Sequence, residues 1–222
     1  MNLLATCKRC LVVVAHPDDE VLLAGGLLAK LADAGAECHV LAIADGETSR
    51  GVPEDAIRRR ERQATAAGAA LGARSVKVLG LADQRLDSYD LYVLVCAVER
   101  VVNAKTPDLV VTHHPGDLNL DHALVARATL TACRPVVSPV RLVLGGEVPS
   151  STEWGLEPFA PDLFVGVDVD RKLAALACYE GEARAAPHPR SPEAVRALAT
   201  WRGATAGLPS AEAFRVLRGV VE

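Results

Sequence analysis

Two short stretches hold most of the side chains that could do chemistry. In "VVVAHPDDE", Val12 to Glu20, an apolar run stops at His16-Pro17 and gives way to Asp18, Asp19 and Glu20. In "VVTHHPGDLNLDHALV", a second apolar run ends in His113, His114, Asp117, Asn119, Asp121 and His122. Imidazole nitrogens and carboxylate oxygens are the donors of a catalytic zinc site, where three protein ligands leave a position open. His16 and Asp19 lie three residues apart across a turn into a helix, so they can converge on one point with Asp18 beside them. His122 from the second stretch would complete a triad. A His/His/carboxylate set suits zinc, iron(II) or another divalent transition metal better than magnesium, which prefers oxygen alone. The competing reading makes Asp18 and Asp19 an N-cap and a first-turn acid, which satisfy free N–H groups without any metal. Two such clusters, each at a strand end, favour the metal.

The elements that must position these residues follow from periodicity. Strand-like runs at Leu11–Ala15, Cys38–Ala44, Val76–Leu79, Leu109–Thr112 and Val140–Leu144 alternate with helical patterns at Glu20–Ala34, Pro53–Leu71, Asp90–Asn103 and Asp121–Ala132. This alternation predicts an α/β, Rossmann-like fold: a mostly parallel sheet with helices on both faces. Ligands bind such sheets at the carboxyl ends of the strands, where His16 falls because Pro17 ends the first one. Beyond about residue 145 come a Gly/Pro/Ser loop, a strand at Leu163–Val169, and helices at Arg171–Arg184 and Pro192–Arg202. The tail Ala211–Val221 reads equally as strand or helix. With no linker or repeat, the expectation is one domain, a core of about 1–145 and a C-terminal extension of about 146–222 that closes the site.

The 222 residues are 50% hydrophobic with a net charge of -4 and no long basic run, which gives no footprint for nucleic acid or an anionic membrane. No segment reaches the roughly 18 apolar residues of a membrane span, and "MNLLATCKRC" lacks a signal-peptide core, so a soluble, cytoplasmic protein is expected. Cys7-Lys8-Arg9-Cys10 is a lone CxxC ahead of a strand, the wrong place for a redox pair, and reads as structural. His39, within the second strand, reads as a satisfied core or edge histidine.

His16-Pro17-Asp18-Asp19-Glu20 after a strand, together with Asp121-His122, resembles the PIG-L/LmbE-like family of zinc-dependent N-deacetylases, which act mainly on N-acetylglucosamine-type sugars. "PHPRS" and "AEAF" near the C-terminus resemble a bacterial subgroup. The resemblance implies one Zn2+ held by His16, Asp19 and His122, Asp18 as general base, and acetate released from a small N-acetylated sugar. It further implies Arg60 as a sugar contact, with Arg58 and Arg59 solvated, and Asp83 as acceptor for sugar hydroxyls. Gln63 stands where the family has a glutamate, and Ala82 where it has a proline. Asn119 replaces a histidine that steadies the oxyanion or protonates the leaving amine. An asparagine can donate a hydrogen bond but cannot shuttle a proton, so the acid must be His113, His114, His188 or Asp18 acting twice. His188 is presented between two prolines, a stiff setting suited to a site, and Trp154 could stack on a sugar face or anchor its loop. Glu20 reads as a first-turn acid that favours the dipole or steadies a ligand from behind. The C-terminal segment could serve a neighbouring subunit, which allows a homo-oligomer. Two other functions fit the residues less well: magnesium-dependent phosphoryl transfer, which His16 beside His122 argues against, and a non-catalytic metal- or sugar-binding pocket.

Overall fold

The computed structural model describes residues 6–51 and 54–220. Residues 1–5, Pro53 at the expected start of the second helix, and Val221 at the expected end of the tail lie outside the described residues. Seven strands form one sheet in the order β3-β2-β1-β4-β5-β7-β6. They are β1 (Arg9–Val14), β2 (Glu37–Ala44), β3 (Ser75–Leu81), β4 (Leu109–His113), β5 (Leu142–Gly146), β6 (Leu163–Gly166) and β7 (Ala211–Gly219). The helices are α1 (Asp19–Asp33), α2 (Glu54–Ala70), α3 (Leu91–Lys105), α4 (Leu120–Ala132), α5 (Val169–Leu176) and α6 (Pro192–Thr205).

From Cys10 onward β1 is apolar because both its faces are covered. Cys10, Val12 and Val14 pack with α1, α2, α5 and α6 on one side, and Leu11, Val13 and Ala15 with α3 and α4 on the other. β1 pairs in parallel with β2 on one flank and β4 on the other. The chain runs outward from β1 through β2 to β3 and then returns to β4, so strand order reverses between β1 and β4. That switch point opens a crevice at the strands' carboxyl ends, between the residues after β1 and those after β4.

Three expectations change in the C-terminal part. The undecided tail is a strand, β7, which inserts antiparallel between β5 and β6 and makes the sheet mixed. The expected strand at Leu163–Val169 ends at Gly166, because Asp168 caps α5 through the N–H groups of Asp170 and Arg171. The expected helix to Arg184 ends at Leu176, and the chain beyond it buries Tyr179 and turns at Gly181, whose φ of +88° suits glycine.

α1 is broken at Ala24, which has φ -145°. The break is mended from the C-terminal part: Glu212 on β7 accepts from Gly26 and Leu27 N–H at 2.8 Å each, and Lys172 on α5 donates to the Leu22 carbonyl at 2.7 Å and to Glu212 at 2.8 Å. The carboxylate acts as an internal N-cap and lets the first turn, which carries Asp19, take its own direction. The CxxC pair is structural: burial and Asp108 push the Cys7 thiol up to about 12, away from thiolate reactivity, and Cys10 is buried opposite Cys38. Among the described residues no helix is long and apolar enough to cross a membrane.

Candidate metal centre

Pro17 ends β1, and the chain enters α1 through Asp18, held at φ 124°. This turn aims His16 and Asp19 into the crevice while Asn119 starts α4 on its far side, with its side-chain oxygen accepting from the Asp121 N–H at 2.9 Å. One turn of helix then delivers His122.

His16 Nδ1 lies 3.2 Å from Asp19 Oδ2, His122 Nε2 lies 3.3 Å from the same oxygen, and the two nitrogens are 3.3 Å apart. Donors about 2.0–2.1 Å from a tetrahedral ion are separated by about 3.3 Å, so the triangle has the dimensions of three corners of such a site. The opposite nitrogen of each imidazole faces a carboxylate: His16 Nε2 lies 3.2 Å from Asp121 and 3.1 Å from Asp83, and His122 Nδ1 lies 3.2 Å from Asp117. A carboxylate behind a ligating histidine selects its tautomer and raises its basicity. Asp19 Oδ1 is buried without a hydrogen-bond partner. These buried residues form a group that could bind a metal ion.

The charges within the cluster are mutually supported. Burial opposes ionisation of Asp19, but His122, His16 and His113 outweigh it and hold the carboxyl well below its usual range. Burial likewise opposes a charged His16, yet Asp121, Asp19 and Asp83 raise it well above its usual value. His113, stacked on His122 with ring centroids 4.0 Å apart, is pushed well down by burial and by His122, so it stays neutral. Its Nε2 accepts the Ala15 N–H at 2.8 Å, which pins the end of β1 to the end of β4.

Beside the triad lies a cavity of about 150 Å³, lined among others by His16, Asp18, Arg60, Asp83, Asn119 and Arg190. Asp18 Oδ2 accepts from Arg190 Nη1 at 2.9 Å, and the Asp18 N–H donates to Glu20 Oε2 at 3.0 Å. Tyr179 donates to the other oxygen of Glu20. Burial pushes the Asp18 carboxyl up to about 6, with Arg190 opposing, and the Glu20 carboxyl up to about 7, with Tyr179 opposing. Arg60 is buried against Glu47, 2.7 Å away, and Glu182, which take the place of the ion-pair partner missing at Gln63; its Nη1 has no partner. Asp83 accepts from Ser49.

His16, Asp18, Asp19, Arg60, Asp83, Asn119 and His122 therefore meet at one crevice, while three other expected site residues do not. The His114 ring packs edge-on against Phe159 at 5.2 Å, and its Nδ1 accepts from Gly116. Adjacent residues at a strand end point to opposite sides, and it is His113 that turns toward the triad. His188 Nδ1 accepts the Arg190 N–H at 3.0 Å, so the stiff segment delivers the arginine to the cavity instead of the histidine. Trp154 is 55% exposed and outside the cavity wall. Arg58 and Arg59 are exposed, as expected.

Sequence reasoning missed Arg190, Asp117, Glu182 and Tyr179. Asp117 was visible inside the second cluster, and Ser151 and Thr152, which both donate to it, come from a loop whose sequence carries no signal of that contact. Arg190 lies two residues past the proline-flanked His188, and nothing in the local sequence says which of the two side chains the segment presents.

Residues 11–133 match the model of the family PIG-L, described as GlcNAc-PI de-N-acetylase. The uncharacterized deacetylase YaiS of Escherichia coli is 31% identical over 177 residues, 76% of this chain and 89% of that protein. The probable N-acetyl-alpha-D-glucosaminyl L-malate deacetylase 2 of Bacillus cereus is 25% identical over 195 residues, 80% of this chain and 85% of that protein. The crystal structure of GalB, the 4-carboxy-2-hydroxymuconate hydratase of Pseudomonas putida, superposes with a TM-score of 0.78 at 25% identity, covering 97% of this chain and 98% of that one.

Proposed function

Because the chain belongs to the PIG-L family, we propose that it is a zinc-dependent N-deacetylase that removes the acetyl group from an N-acetylglucosamine-type sugar or a sugar-containing small molecule. The observation that carries this reading is the His16, Asp19, His122 triangle with Asp18 beside it on the cavity wall. Two imidazoles and one carboxylate suit zinc, and zinc held there would polarise the acetyl oxygen and acidify water.

Asp18 takes the proton of the attacking water. Arg190 holds its Oδ2 and leaves Oδ1 for that task, while Glu20, anchored by Tyr179, fixes the backbone behind it. A carboxyl raised to about 6 is a better base than an ordinary aspartate and is still ionised at neutral pH. Arg190 and the amide nitrogen of Asn119 can both donate to the oxyanion that develops on the substrate. Asn119 cannot supply a proton, none of His113, His114 and His188 lines the cavity, and His113 Nε2 is taken by the Ala15 N–H, so Asp18 returns its own proton to the leaving amine. The unpartnered Nη1 of Arg60 and the carboxylate of Asp83 offer a donor and an acceptor for sugar hydroxyls.

Similarity to a hydratase favours a second reading, water addition to a conjugated double bond, because both reactions need an activated water and a base. The test is metal analysis with acetate release from a panel of N-acetylated amino sugars, run beside the loss of ultraviolet absorbance of unsaturated dicarboxylic acids. Bound zinc with acetate release that chelation abolishes is expected. Turnover of the unsaturated acids alone would refute the deacetylase.

A further inference from the structure

The segment "AEAF" places Glu212 on β7, and nothing in the proposed chemistry uses it. Its carboxylate is buried with the ammonium of Lys172 on α5, their side chains 4% and 7% exposed, and neither residue lines the cavity. Burying two charges costs solvation that their attraction only partly returns, and uncharged residues of similar volume often serve stability as well or better. The pair therefore needs a reason other than stability, and its contacts supply one.

The hydrogen bonds that the two side chains make to backbone fall on α1, on either side of its break at Ala24. In an unbroken helix the Gly26 N–H bonds the Leu22 carbonyl, four residues back. Here that N–H meets Glu212 Oε1 and that carbonyl meets Lys172 Nζ, so an ion pair stands in for one helical hydrogen bond. Glu212 Oε2 takes the Leu27 N–H as well. The cation thus faces the carboxyl end of the first segment and the anion the amino end of the second, the signs that the two helix ends favour.

The first segment, Asp19 to Leu23, is too short to hold a direction by itself, because a single turn fixes many dihedrals for few bonds. Its direction comes from what grips its two ends. At one end the chain leaves β1 through His16 and Pro17. At the other, Lys172 holds the carbonyl of Leu22, about 4.5 Å along the axis from Asp19 at about 1.5 Å per residue. The Leu22 N–H donates to the Asp18 carbonyl at 3.1 Å, so the residue that Lys172 grips is bonded to the turn that bears the base and the ligand.

We propose that Lys172 and Glu212 are positioning residues of the metal centre: by replacing one bond of α1 with an ion pair they set the direction of its first turn, and so where Asp19 meets His16 and His122. The proposal rests on the metal triad of the deacetylase reading and is independent of which acyl compound is hydrolysed.

The experiment measures zinc affinity, by competition with a chromogenic chelator, in the unmodified protein and in a Lys172→Met/Glu212→Gln double variant, which leaves no buried charge unpaired. Affinity should fall roughly 10-fold, the lower end of what losing a group directly behind a metal ligand costs. Cobalt(II) bound in place of zinc should show an altered visible absorption band, because that band reports the ligand geometry. The metal-free proteins should melt within about 4 °C of each other. A pair with a merely structural role would move that melting temperature and leave affinity and band alone. A zinc affinity changed by less than about threefold overturns the proposal, whatever the melting temperature does. Glu212→Asp keeps both charges but shortens the reach by one methylene, and it decides the case if the double variant does not fold: affinity should fall more than about threefold, and a smaller change overturns the proposal. An unmodified protein that binds no zinc refutes the triad and the pair with it. Zinc bound equally well by the unmodified protein and the variants refutes the pair alone.

Discussion

Asp18 adopts φ 124° with ψ -29°, a conformation open to glycine and costly for any residue with a Cβ. Such a residue stores on the order of 1–3 kcal/mol, held by its surroundings. Here those surroundings are Glu20, which accepts the Asp18 N–H at 3.0 Å, and Arg190, on the side chain at 2.9 Å. Asp18→Gly and Asp18→Ala both delete the carboxylate and its pair with Arg190, so those losses cancel between them. What differs is the Cβ. Glycine relieves the strain of about 1–3 kcal/mol but gives back about 0.5–1 kcal/mol through its freer unfolded chain, for a net of about 1 kcal/mol in its favour. For a chain of this size that is roughly 2–4 °C in melting temperature. Calorimetry of the two variants with metal chelated at pH 7 should place Asp18→Gly above Asp18→Ala, the reverse of the order at an ordinary position. Both should lose acetate release by roughly 10²–10⁴-fold, the contribution of a general base. An alanine variant as stable as the glycine variant or more so would refute the strain, and full activity in either would refute the base.

Removal of Asp117, whose Oδ1 lies 3.2 Å from His122 Nδ1, should weaken zinc binding by roughly 10–100-fold in the Asp117→Ala variant, read by competition with a chromogenic chelator; a change under about threefold would mean that His122 needs no orienting carboxylate. Glu182 gives a pH signature remote from the triad. Burial alone would raise its carboxyl, but its bonds to Arg50 and Arg60 outweigh that and hold it at about 2, below the ordinary 4.5. The unfolded chain therefore takes up a proton first as pH falls, and the stabilisation present above about pH 4.5 is lost toward pH 2. Urea midpoints of the unmodified protein and Glu182→Gln should differ at pH 6, draw together below about pH 4.5 and converge only toward pH 2; a gap constant over that range would refute the ion-pair account.

Much of the architecture was legible because its causes are local. From Cys10 on, β1 is a continuous apolar run, as a strand buried on both faces must be, and Pro17 follows it where the next residues carry titratable groups. His16 and Asp19 converge because a turn of three residues brings them together whatever the rest of the chain does. Strand and helix alternating along the chain imply parallel pairing and a site at the strands' carboxyl ends, which is where the crevice lies. The tail was not legible: Ala211 to Phe214 are all buried, a pattern that suits strand or helix until β5 and β6 supply partners on either side.

The finer division of labour belongs to tertiary structure. Which of His113 and His114 faces the triad depends on the side of β4 that α4 covers. Arg190 reaches Asp18 across 172 residues of chain, and Tyr179 reaches Glu20 across 159. Contacts that distant leave no mark on local spacing, and a side chain's type says only what it can bond, not what folding brings to it. Residue types and spacing thus determined the donor set and the strand end that bears it. Tertiary packing decided which groups stand behind each donor and which cation meets the base.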